Sequence, residues 1–160
     1  MLAVFSNLHE RPNCETVVMT MDVLEYEKEI TVAATTEQIP FISDFIEGLM
    51  SSAGFDLRKI MEEQLAAEEA CTNVAKYAYP GKDGMIHIVA KVAGDRLDLI
   101  IEDWGIPFNP TAHAVALSQA SAEDRPIGGL GIHLIRNYVD GMFFEFRDGK
   151  NALTLVKNRN

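Results

Sequence analysis

Polar and apolar positions alternate in several stretches of this chain, and each alternation predicts a strand. "YEKEITVAA", from Tyr26 to Ala34, alternates around Ile30 and Val32. "MIHIVAKVA" and "RLDLIIED" are joined by Gly94-Asp95 and read as a hairpin, and "MFFEFR" and "ALTLVK" read as a second one around Asp148-Gly149. Elsewhere the period is helical. "FISDFIEGLMSSAGF" places Phe41, Ile42, Phe45 and Leu49 on one stripe, with start chemistry at Thr35 or Thr36 and Glu37 and a stop at Gly54. A longer helix is expected from about Asp56 to Tyr79, broken at Pro80-Gly81. Its wheel puts Ile60, Ala67, Cys71 and Ala78 on one side, which suits a core, and Glu62, Ala66, Glu69, Asn73 and Tyr77 on the other. "GGLGIHLIRNYVD" is a glycine-rich entry into a last helix whose Ile132, Ile135 and Val139 face inward.

The order strand, two helices, hairpin, long loop, helix, hairpin implies an α+β fold. The expected form is a two-layer α/β sandwich in which a mixed, mostly antiparallel sheet is covered on one face by helices. Residues 1–25 show no clean period, although "TVVMTMDVLEY" has strand-like composition, and are taken as an amino-terminal extension. Residues 26–160 form one domain, large enough to bury a core without disulfides or metal. Residues 107–127, rich in Ala, Ser and Pro, read as a long mobile segment of the kind that usually carries function.

Charge narrows the function classes. Acidic residues outnumber basic ones 24 to 14 and no Lys/Arg cluster compensates, so nucleic acid and anionic membrane surfaces are not expected as partners. The amino-terminal apolar stretch is too short for a signal segment, and nothing approaches a membrane span, so a cytoplasmic protein is expected. Cys14 and Cys71 should be reduced thiols. His9, His87, His113 and His133 are scattered without the spacing of a metal site.

Three short motifs carry candidate chemistry. Glu69 and Asn73, four residues apart on one helix face, offer a carboxylate and a carboxamide oxygen to a hard cation such as Mg²⁺, or a base and a ligand. "IIEDWGIPF" ends a strand in Asp103, an acceptor suited to an amine such as that of adenine, with Gly105 permitting close approach. Gly128-Gly129-Leu130-Gly131 opens a helix, where converging backbone N–H groups and the helix dipole favour an anion. Taken singly, each has an ordinary reading: a solvated helix face, a capped turn, a hinge. Together and in this order, a magnesium nucleotide explains all three with one ligand.

Over residues 27 to 157 the chain resembles the GHKL (Bergerat-fold) ATPases, and within them the anti-sigma factor serine kinases of the RsbW and SpoIIAB type. The N-box matches "EEACTNVAKYAYP", the G1 box "EDWGIPFNP" and the G2 box "GGLGIHLIRNYVD", with residues 107–127 corresponding to the ATP lid. The resemblance implies that Glu69 is the general base toward an acceptor serine and that Asn73 binds Mg²⁺. It further implies that Asp103 hydrogen-bonds adenine beside Gly105, and that Gly128, Gly129, Leu130 and Gly131 hold the phosphates of ATP. The implied activity is that of a serine/threonine protein kinase and anti-sigma factor. Such a protein inhibits a sigma factor, phosphorylates an anti-anti-sigma (STAS-domain) protein and forms a homodimer. The alternatives are an ATP-binding module that sequesters a partner without transfer, and the same chemistry aimed at a regulator outside sigma control. Tyr77 stands where many relatives have histidine. Arg125 reads as a solvated loop arginine and His133, inside a helix, not as a phosphoacceptor.

Overall fold

A computed structural model describes residues 24–111 and 129–160. Residues 1–23 of the expected extension, residues 112–127 of the segment 107–127 expected to be a lid, with Arg125, and Gly128 lie outside the described residues. Among the described residues, β1 (Leu24–Ala33), α1 (Ile39–Ser52), α2 (Leu57–Asn73), β2 (Met85–Ala93), β3 (Arg96–Asp103), α3 (Gly129–Tyr138), β4 (Gly141–Arg147) and β5 (Lys150–Asn158) follow in that order. The strands form one sheet in the order β1-β2-β3-β5-β4. All four pairings are antiparallel, which is the dominant pairing expected.

Local chemistry accounts for the boundaries. Asp56 caps α2, its side chain accepting from the Lys59 N–H at 2.9 Å. Gly54, at φ 79°, follows α1 in the left-handed region. Asp148 and Gly149, at φ 54° and 76°, supply the two positive φ values of a tight hairpin that matches strand twist. Thr36–Gln38 form a 3₁₀ turn ahead of α1, so the helix begins later than the threonines suggested, with Pro40 in its first turn.

Inward positions of the strands alternate cleanly: Ile86, Ile88, Ala90 and Val92 on β2 and Leu97, Leu99 and Ile101 on β3 are all buried. The helices cover this face. On α1 the buried stripe is Ile42, Ile46, Leu49 and Met50, offset from the expected one because Phe41 is 55% exposed. Helix α2 packs against both α1 and α3. Two helical neighbours explain why Ala66 and Ala70 are buried although the wheel placed Ala66 with the polar residues. Ile132 and Ile135 of α3 are buried as expected, and Val139 is packed on the same core.

The long helix departs from expectation at its end. It is α-helical only to Asn73 and continues as a π-helical turn over Val74–Ala78 before Pro80. Such turns frequently stand at functional sites. Among the described residues, no helix is long and apolar enough to cross a membrane.

Candidate active site

The end of α2 with its π turn, the exit of β3, the helix α3 and the β4–β5 hairpin (Phe144, Asn151 and Leu153) converge on one cavity of about 290 Å³ between the helices and the sheet. Ala70, Asn73, Val74, Tyr77 and Ala78 come from the end of α2 and the π turn. Asp103, Ile106 and Phe108 come from the exit of β3, and Ile132 and Ile135 from α3. The lining is mostly apolar with a few polar groups, as in small-molecule sites where apolar walls bury the ligand and a few directed bonds orient it.

Asp103 ends β3 facing the cavity and is 6% exposed. Its Oδ1 accepts from the Gly105 N–H at 2.8 Å, closing a turn, and from the Asn151 Nδ2 at 2.9 Å. Burial pushes its pKa up, while the bonds from Asn151 and Gly105 oppose the shift. Gly105 is required by packing: a Cβ there would lie 2.4 Å from the Ala78 carbonyl oxygen, which accepts from the Ile106 N–H at 2.9 Å. The close approach it permits is therefore to the π turn. Tyr79 braces the same junction, its hydroxyl accepting from the Trp104 N–H and donating to the Met85 carbonyl, both at 2.7 Å.

Glu69 and Asn73 are half-buried on α2. Neither is far from the glycine-rich start of α3, since a Cβ on Gly131 would lie 2.6 Å from Glu69 Oε2 and 3.9 Å from Asn73 Nδ2. Asn73 lines the cavity; Glu69 is not part of its lining and stands at the Gly131 side. Gly129 and Leu130 begin the helix, and Gly131, the next residue, is the motif residue set against the acid and the amide. The sequence motifs thus occupy one place: Asp103 and Gly105 at one wall, Asn73 between, Glu69 and Gly131 beyond.

Asn151 was not singled out in the sequence, yet it joins three parts of this wall. Besides Asp103 Oδ1 it donates to the Ile106 carbonyl at 3.0 Å and accepts from the Phe108 N–H at 3.2 Å. The available signal was its inward position on β5, where a polar residue occupies a site that alternation reserves for the core. Tyr77, at the position where histidine was noted as common, lines the cavity and is 57% exposed.

An antiparallel sheet is layered with helices, and a cavity lies between an acidic strand exit and a glycine-led helix. Residues 32–157 match the family model described as "Histidine kinase-like ATPase domain", and the chain belongs to that family. A serine-protein kinase RsbW of Bacillus pumilus is 30% identical over 155 residues, covering 88% of this chain and 89% of its own. The RsbW of Bacillus cereus strain AH187 is 31% identical over 133 residues, covering 80% and 83%. A crystal structure of the RsbU and RsbW domains of a Mycobacterium tuberculosis protein superposes with a TM-score of 0.57 at 17% identity, over 83% of this chain and 32% of that longer one. The fold and these relatives place the chain among the ATP-using serine/threonine protein kinases of the RsbW type.

Proposed function

We propose that this protein transfers the γ-phosphoryl group of ATP to a serine of a STAS-domain anti-anti-sigma protein and, in the alternate state of the switch, holds a sigma factor inactive in the cytoplasm. The observation that supports this reading is the apposition of Gly131 with Glu69 and Asn73, a carboxylate and an amide beside a helix start of the kind that favours anions. Asp103 accepts the adenine amine, and the backbone of Gly128, Gly129, Leu130 and Gly131 takes the phosphates. The serine oxygen attacks the γ-phosphorus, the bond to the β-phosphate oxygen breaks, ADP leaves, and Glu69 receives the hydroxyl proton.

The donor set also suits magnesium, which keeps most of its waters and needs only one or two protein oxygens in addition to phosphate. Asn73 would hold it, and bound Mg²⁺ supplies neutralisation of phosphate charge. A homodimer is part of the proposal, as the family resemblance implies.

The test is transfer of labelled γ-phosphate from Mg-ATP to small proteins of the source organism's lysate, with Glu69→Gln in parallel. A single phosphoserine protein, labelled about 10²- to 10⁴-fold more slowly by the variant at unchanged ATP affinity, is expected. Equal labelling by both proteins would remove Glu69 from the role of base. ATP binding without any transfer would instead support a sequestering module.

A further inference from the structure

We infer that Asn151 is a positioning residue for base recognition: it orients Asp103 so that Oδ2 faces the nucleotide and locks the Ile106–Phe108 wall to the same frame. This deepens the proposed function and rests on its reading of Asp103 as the adenine acceptor.

Both hydrogen bonds that the Asp103 side chain accepts among the described residues fall on Oδ1, one from Asn151 Nδ2 and one from the Gly105 N–H. With Oδ1 doubly occupied, Oδ2 is the oxygen available to an incoming amine. An amide suits this task because it offers donors and an acceptor from one rigid plane. Asn151 uses both, donating also to the Ile106 carbonyl and accepting from the Phe108 N–H. At 5% exposure it is itself held, flanked in β5 by the pairing of Asn151 with Asp103 across β3 and with Phe146 across β4. Removing the amide leaves Asp103 Oδ1 held by the Gly105 N–H alone, so the carboxylate can turn about that single bond, and it takes away the partner that Asn151 gives to two backbone groups of the cavity wall. Only the first effect bears on which base is bound.

The experiment compares the affinity of ATP with that of purine riboside triphosphate, which lacks the exocyclic amine, in wild type, Asn151→Leu and Asn151→Asp. In wild type ATP should bind about 10- to 100-fold more tightly, the worth of a hydrogen bond to a charged acceptor. In Asn151→Leu that ratio should collapse to within about threefold, because one bond to Oδ1 in place of two no longer fixes the plane of the acceptor. A residue that merely supported the fold would weaken both nucleotides together and keep the ratio, an outcome that overturns the inference. Asn151→Asp is nearly isosteric and carries the test where the leucine variant fails to fold. Two facing carboxylates repel, but a shared proton restores a donor toward Oδ1, so the preference of this variant for ATP over purine riboside triphosphate should be small at about pH 8 and widen as pH falls to about 5.5. A preference in the Asp variant that does not widen overturns the inference. Failure of wild type to separate the two nucleotides would overturn the role of Asp103 itself, and Asn151's with it. Separation by wild type and by both variants alike would overturn only the part assigned to Asn151.

Discussion

Gly131 stands so close to Glu69 that a methyl group on it would fall 2.6 Å from the carboxylate Oε2. No side chain fits there unless one of the two gives way, and the end of a glutamate gives way more easily than a helix backbone.

Gly131→Ala should therefore separate catalysis from stability. Alanine is favoured over glycine in a helix by about 1 kcal/mol, which offsets the contact, so the melting temperature should stay within roughly 4 °C of wild type. Glu69 should swing aside, and phosphotransfer should fall at least about tenfold, as the role of base proposed for Glu69 requires. Thermal melting and single-turnover transfer on the same preparation decide it, and full activity in a well-folded variant would sink the idea.

Gly105→Ala should do the opposite. Its Cβ would meet the Ala78 carbonyl oxygen at 2.4 Å and the Ala78 Cβ at 2.5 Å, neither of which can rotate away. Relief requires moving the β3 exit and losing the bond from the Ile106 N–H. A loss of about 2–3 kcal/mol is expected, read as a drop of roughly 4–12 °C in melting temperature together with weaker ATP binding. An unchanged melt would mean that the π turn and the strand exit are less tightly joined than described.

Lys157, 4% exposed on β5, donates to Glu62 Oε2 of α2 at 2.6 Å and to the Tyr138 carbonyl at the end of α3. That hydrogen bond is the chief cause holding the Glu62 carboxyl below its usual range. Lys157→Met should cost about 2–4 kcal/mol near neutral pH. The depressed acid stabilises the fold above its ordinary pKa and loses that contribution as pH falls through the depressed value, so the deficit of the variant should shrink in acid. Denaturant melts at pH 7 and pH 3.5 test this, and a deficit equal at both would exclude the ion pair as its source.

Glu63 is fully buried and neither carboxylate oxygen has a partner among the described residues. Burial and the nearby Asp140 raise its pKa to about 7, against the attraction of Lys157. The folded state therefore keeps a proton that the unfolded chain gives up near 4.5, and stability falls as pH rises between those values. The span amounts to roughly 3 kcal/mol. Glu63→Gln removes the titration and should gain stability relative to wild type at pH 8 but not at pH 4.5, measured by urea unfolding. Parallel pH profiles for the two proteins would count against it.

Much of this was legible in the chain. Alternation located the hairpins because an antiparallel sheet with one covered face imposes a period of two on each strand. Gly94 and Asp148-Gly149 marked turns whose backbone needs positive φ, and Asp56 stood where α2 begins. The motifs around Glu69, Asp103 and Gly131 stood out because each combines an unusual residue with an element boundary, and the fold brings them to one side of the sheet. What was hidden depends on contacts between distant elements. The π turn at Val74–Ala78 answers to Gly105 and Ile106, some thirty residues further on, and helical periodicity alone extends α2 through it. Glu63, Asn151 and Lys157 occupy inward positions that pattern assigns to apolar side chains, and nothing local says which polar residue is tolerated there.

The place of β5 between β3 and β4 has a consequence for biosynthesis. The strand that carries Asn151 follows every other described strand in sequence yet is interior in the sheet. While the chain emerges from the ribosome, Glu69, Asn73 and Asp103 are already available, but the frame that holds the β3 exit is missing until β5 has been made and inserted. Contacts spanning such separations form slowly because loop closure precedes their reward. Nucleotide capture should thus be one of the last events in the maturation of a nascent copy, and added nucleotide should protect completed chains from proteolysis while leaving chains arrested before Lys150 unprotected.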